Sequence, residues 1–208
     1  MDTLVLTCMD PRLNEYLDNE YLSEDGMRKY GKVEIWRNAS GRLPPVEELR
    51  GSGARTIILA PHTDCQAKKY MYEMLKQEIA HDEIVEQAEE LVHDHGFSSR
   101  EEFDNLVNEE EKVFLRDRLS VSGMTVELHV VDISKIKIAQ HHGEKMLVIS
   151  SGTDMQSSKI AFKAGIELPC CYIIQGPYLK DLNPDINLAL GLGIKKVNIV
   201  TEEGRPFR

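Results

Sequence analysis

Apolar positions fall in short runs near the start of the chain and take up helical spacing after residue 66. The run at 3–8 (TLVLTC) predicts a buried strand, and 32–37 (KVEIWR) and 55–61 (RTIILAP) predict two more. The ASGRLPP segment that follows the second of these reads as loop. Residues 66–95 hold helix formers throughout, and Gly96 is a plausible stop. Residues 99–119 predict a further helix, because Ser99 is followed three residues on by Glu102, the spacing of a capping box. Residues 125–133 (TVELHVVDI) predict a fourth strand.

The pattern then restarts. Residues 145–165 read as strand, polar turn and helix, 169–177 as a strand, and 183–204 as a capped helix and a strand. Strands alternating with helices predict an α/β fold with a mostly parallel central sheet flanked by helices. The second half also reads as a worn copy of the first: MLVISSGTD follows the pattern of TLVLTCMDP, and GIKKVNIVTEEG that of GARTIILAPHTD. Two independent βαβ units account for the pattern equally well. In that alignment Cys8 faces Ser151 and His62 faces Glu202 or Glu203, so a copy has lost its metal-type residues. The chain divides on this reading into a core, 1–138, and a C-terminal α/β extension, 139–208.

Charge narrows the partners. The 208 residues carry a net charge of −10, which argues against a nucleic-acid face and against an anionic membrane surface. Residues 66–118 hold 15 Asp or Glu against 7 Lys or Arg, as expected of solvated amphipathic helices. No apolar run is long enough for a membrane span, and the first residues lack the features of a signal peptide. Four Cys in this length do not make a secreted disulfide framework. The expectation is a cytoplasmic protein with reduced thiols, and reduced thiols bind metal.

The third predicted strand ends in APHTDCQ, where His62 and Cys65 are separated by two residues. That spacing suits a loop or first helical turn presenting both side chains to one ion. Alone it is a weak signal. Cys8 strengthens it, because neighbouring parallel strands bring their C-terminal ends to one sheet edge. Two thiolates and one imidazole with a fourth position open is a catalytic rather than a structural zinc pattern. Asp10 and Arg12 follow Cys8 at alternate positions. Asp10 either pairs with the guanidinium of Arg12 or binds the zinc itself and closes the site, and the sequence leaves both open.

CMDPR (8–12), RNAS (37–40) and HTDC (62–65) together resemble the β-class carbonic anhydrases, whose pattern is C-x-D-x-R, then R-N-A-G, then G-H-x-x-C-G. The MTVELHVVDISKIKI segment (124–138) is similar to the family's late strand, and the resemblance covers residues 3–138. It implies Cys8, His62 and Cys65 as zinc ligands and Asp10 with Arg12 as the dyad beside the metal. It also implies reversible hydration of CO2 to bicarbonate by a metal-bound hydroxide, in a homodimer or higher homo-oligomer. Relatives with the same constellation hydrolyse COS or CS2, and a zinc-stabilised pseudo-enzyme or binding module is the alternative outside enzymes.

Four positions depart from the family pattern: Pro11 for Ser or Thr, Ser40 and Pro61 for Gly, and Gln66 for Gly. The chain also starts at its first strand, without the family's N-terminal helical arm. Elsewhere, His93, Asp94 and His95 read as a polar helix end, and His141 and His142 as a surface turn. Cys170 and Cys171 are adjacent in an apolar strand and point to opposite faces, so they read as structural thiols. Trp36 reads as a packing residue, and the GLG at 191–193 as a helix stop.

Overall fold

The computed structural model describes residues 1–77, 83–135, 145–150, 153, 156–159, 161, 171–177, 183–191, 193–194 and 196–200. Seven strands form one sheet: β1 (Thr3–Cys8), β2 (Val33–Asn38), β3 (Thr56–Ala60), β4 (Thr125–Leu128), β5 (Met146–Ser150), β6 (Cys171–Gln175) and β7 (Lys196–Val200). Their order across the sheet is β4-β3-β1-β2-β6-β5-β7. All pairings are parallel except β2 with β6, which is antiparallel at Arg37 opposite Gln175. The α/β fold read from the sequence is therefore the observed one, and the second half extends the sheet of the first.

Among the described residues the α-helices are α1 (Asn14–Leu17), α2 (Glu24–Tyr30), α3 (Val46–Gly51), α4 (Gln66–Gln77), α5 (Glu83–Val92), α6 (Arg100–Leu119) and α7 (Asn183–Gly191). A π-helical turn, Asp18–Leu22, follows α1. Alternation along the strands splits the core into two layers. Val5, Ile35 and Ile58 face one cluster with Leu17, Tyr21, Met71 and Phe103. Leu4, Leu6, Trp36, Ile57 and Leu59 face the other with Leu49, Leu115 and Leu119. Trp36 is thus a core residue. The capping box of α6 is formed: the Glu102 amide donates to Ser99 Oγ, and Glu102 accepts from the Ser99 amide.

Two expectations are corrected. The helix read over 66–95 is described as α4 and α5, with residues 78–82 outside the description. The strand read over 125–133 ends as regular structure at Leu128. The His129 amide still donates to Leu59 O, but the answering bond would come from residue 61, a proline without an N–H. Pairing resumes one step on, where Val131 bridges to His62. The GLG segment does stop α7: Gly193 takes a φ of +83° and its amide returns to Leu190 O.

Candidate metal centre

β1 and β3 are neighbours in parallel register, so Cys8 ends one strand beside the exit of the other. His62 stands just beyond β3, held by the bridge to Val131 and by the bond from Thr63 N to Val131 O. Asp64 then takes a left-handed φ of +53°, a conformation that short polar residues tolerate, and turns the chain into α4. Cys65 immediately precedes that helix, and its carbonyl accepts the amide of Lys69. A helix N-terminus favours the thiolate form.

The three side chains converge. Their donor atoms lie within 4.8 Å of one another, and all three residues are buried. Cys8 Sγ and Cys65 Sγ are 3.8 Å apart, far beyond a disulfide bond. Two sulfurs at ~2.3 Å from one tetrahedral zinc stand roughly 3.8 Å apart, so the spacing suits that ion. His62 has an orientation compatible with the same ion. Its Nδ1 lies 2.8 Å from the Thr63 carbonyl and donates to it, which leaves the lone pair on Nε2. That Nε2 is buried and makes no hydrogen bond. An orphaned imidazole nitrogen aimed at two thiols fits a metal ligand set.

The electrostatics prepare the same group. The two thiols share a hydrogen bond, which drives Cys65 down and Cys8 up. His62 also stabilises the Cys65 thiolate, whereas burial and the charge of Asp10 weigh against a second thiolate at Cys8. Burial pushes His62 toward the neutral form. The negative charge of Cys65, together with that of the Asp10 carboxylate, outweighs burial and raises it. A cation between the donors would take over the charge that these protons now balance.

Asp10 closes the remaining side. Its Oδ2 is 3.8 Å from His62 Nε2. Arg12 holds both carboxylate oxygens, Nε to Oδ1 at 2.9 Å and Nη2 to Oδ2 at 2.7 Å. Asp10 also caps the short helical turn Pro11–Leu13, accepting the amide of Arg12. Pro11 sits where that turn needs no N–H, which accounts for its place in the motif. Burial raises Asp10, but Arg12 and the charge of His62 bring it below the ordinary carboxylate range. Arg12 is tethered from behind by Asp64, through its side chain at 3.1 Å and its carbonyl at 3.0 Å. Arg100 reaches the same turn, donating to Cys65 O at 2.8 Å.

The structure therefore brings together all five residues singled out from the sequence. It adds supports that local sequence does not reveal. Arg37, fully buried in β2, donates to Cys8 O, Asp10 O and Asn14 Oδ1. Asn14 in turn donates to Cys171 O in β6. Arg37 stands inside the RNAS motif, but a strand arginine carries no sign of which carbonyls it will meet. Behind Cys65, Lys68 is buried in α4 and donates to Asn108 of α6, with Glu111 buried nearby in α6. Their only sequence trace is polar residues at core spacing.

The other candidates do not join the site. His93 bonds to Glu90 O and to Asp94, and His95 pairs with Glu110, at an exposed helix end. Cys171 is a buried thiol, and burial raises it to about 11. His141, His142 and Cys170 lie outside the described residues, as do Ser151, Glu202 and Glu203. Among the described residues, Cys8, His62 and Cys65 are the group of Cys, His and acidic side chains arranged to hold a metal ion.

No family model and no curated protein matches the chain. Among solved structures it is similar to one reported with two tetrameric β-carbonic anhydrases from the filamentous ascomycete Sordaria macrospora, at 14% identity and a TM-score of 0.42. The match covers 67% of this chain and 80% of that one. No described helix is long and apolar enough to cross a membrane.

Proposed function

We propose that the protein is a zinc enzyme of the carbonic anhydrase kind, catalysing reversible hydration of CO2 to bicarbonate. Cys8, His62 and Cys65 are the ligands in this reading, and Asp10 with Arg12 forms the dyad beside the metal. The observation that supports it is the buried donor triangle whose His62 Nε2 has no hydrogen bond, flanked by a carboxylate already engaged by Arg12. Two thiolates balance a divalent cation, so the loaded group is near neutral and tolerates burial. Bound there, zinc supplies the Lewis acidity that makes water a nucleophile near neutral pH.

The chain's own residues have separable tasks. Asp10 is held ionised, so it accepts hydrogen bonds but does not serve as the acid. It orients an O–H donor beside the triangle. Arg12 keeps both oxygens of Asp10 occupied, so a cation recruiting that carboxylate must displace two charge-assisted bonds. Asp64 holds Arg12 in that pose. The fourth position is thereby left to a small ligand.

The test is stopped-flow CO2 hydration on protein of known zinc content, from neutral to alkaline pH. Activity that scales with zinc and rises with pH is expected, because thiolate ligands make coordinated water less acidic than imidazoles do. Fully loaded protein that stays inactive overturns the hydratase reading. Sulfide release from COS or CS2 would then mark a hydrolase on the same site. Silence on all three substrates, with chelation lowering the melting temperature, would mark a folding role for the metal.

A further inference from the structure

The two halves of the sheet repeat each other in register. Thr3 pairs with Val33 and Thr56, and Met146 pairs in the same way with Cys171 and Lys196. They meet where β2 and β6 run antiparallel, as two copies of one unit related by a twofold axis would. Each half donates a bond across the join. Ile173 N donates to Met9 O, and Ile35 N, at the equivalent step of β2, donates to Thr153 O. One of these lands inside the CMDPR segment, so the second half touches the metal centre's own backbone.

The turn after β2 is the other point of contact. Ser40 and Gly41 both take left-handed φ values, +62° and +79°. A Cβ on Gly41 would stand 3.3 Å from Thr7 Cα and 3.6 Å from Cys8 N, so this turn lies directly on the strand that presents Cys8. Two successive left-handed residues do not hold themselves in place. Asp185, in the first turn of α7, brackets them. Its Oδ1 accepts the Ala39 amide at 2.8 Å, and its Oδ2 pairs with Arg42 at 3.1 Å. The Asp185 carboxylate is fully buried, 143 residues from Arg42 in sequence.

We propose that the second half of the chain is a built-in partner for the metal centre, and that Asp185 is the positioning residue through which it sets Cys8. The proposal rests on the metal reading above, but not on which substrate the site takes.

The test uses the full chain loaded with zinc or cobalt(II). It follows zinc loss to a chelator, the thiolate-to-cobalt and d–d absorption bands, and the melting temperature. Asp185→Ala is expected to speed zinc loss about 10-fold or more, the scale of removing an outer-shell support, and to shift the cobalt bands. Asp185→Asn keeps an acceptor for the Ala39 amide and should fall between the two. Ile149→Val, a core trim in β5 away from the turn, supplies the comparison for stability alone. If Asp185→Ala loses zinc no faster than Ile149→Val, with unchanged cobalt bands, the proposal is wrong. Should Asp185→Ala fail to fold, Asp185→Asn and Arg42→Gln decide the matter by the same readouts. Wild-type protein that retains neither ion overturns this proposal together with the metal reading. Wild-type protein that holds metal but hydrates no CO2 overturns only the hydratase, and the Asp185 comparison still stands or falls by itself.

Discussion

Cys8 Sγ lies 3.8 Å from Cys65 Sγ, although 57 residues of chain separate them. Two parallel strands and the start of one helix bring these thiols to a spacing that suits a shared tetrahedral ion. Replacing Cys65 by Ser should therefore abolish zinc retention, measured as metal per chain after dialysis. Wild-type protein should lose melting temperature on chelation, and the Cys65→Ser variant should show no such shift. A variant that keeps one zinc per chain would remove Cys65 from the ligand set.

Asp10 tests the dyad separately from the ligands. Asp10→Ala should keep zinc and lower CO2 hydration by roughly 10²-fold or more, the scale of misplacing a reacting group. Full activity in this variant would leave the carboxylate without a catalytic task.

Arg37 tests the scaffold. Arg37→Met takes the donor from Cys8 O and Asn14 Oδ1 and leaves Asp10 O with the Leu13 amide alone. Each orphaned group costs about 1–3 kcal/mol, so a total loss of roughly 2 kcal/mol or more is expected in denaturant melts. A loss below ~1 kcal/mol would mean that water replaces those bonds.

Glu111 should make stability depend on pH. Burial raises its carboxyl to about 7, against the pull of Lys68. An unfolded glutamate ionises near ~4.3, so between the two values the folded chain binds more protons than the unfolded one. Stability should fall as pH rises through that window, by up to about 3 kcal/mol for this group. Glu111→Gln should flatten the slope, read from denaturant midpoints at a series of pH values. An unchanged slope would refute the assignment.

Ser40 offers a gain. It takes a φ of +62°, which a residue with a Cβ adopts only at a cost. Ser40→Gly should raise stability by about 1 kcal/mol in the zinc-loaded protein. A fall would show that the hydroxyl matters more than the strain.

Much of this was legible in the order of residues. Strand runs such as TLVLTC are set by local apolar content, and the Ser99–Glu102 box is set by neighbours three residues apart. The five residues that converge were legible as candidates because metal and ion-pair chemistry restricts which side chains will serve, and their motifs are short. The end of β4 was not, because it depends on Pro61, which follows β3 and has no N–H to offer. The single helix read over 66–95 failed for a different reason, since helical spacing does not mark where one amphipathic helix gives way to the next.

The sequence by itself determined the alternation of strands and helices and the candidate residues, Cys8, His62 and Cys65 with Asp10 and Arg12 two positions apart beside the first of them. Only the tertiary structure decided that Asp10 lies on Arg12 with both oxygens. It alone decided that Arg37 turns inward to three backbone and side-chain oxygens, and that a carboxylate from α7 reaches the turn beside Cys8. The last of these depends on antiparallel pairing between two distant strands. Such pairing is a balance of edge hydrogen bonds and buried area that no local window of sequence contains.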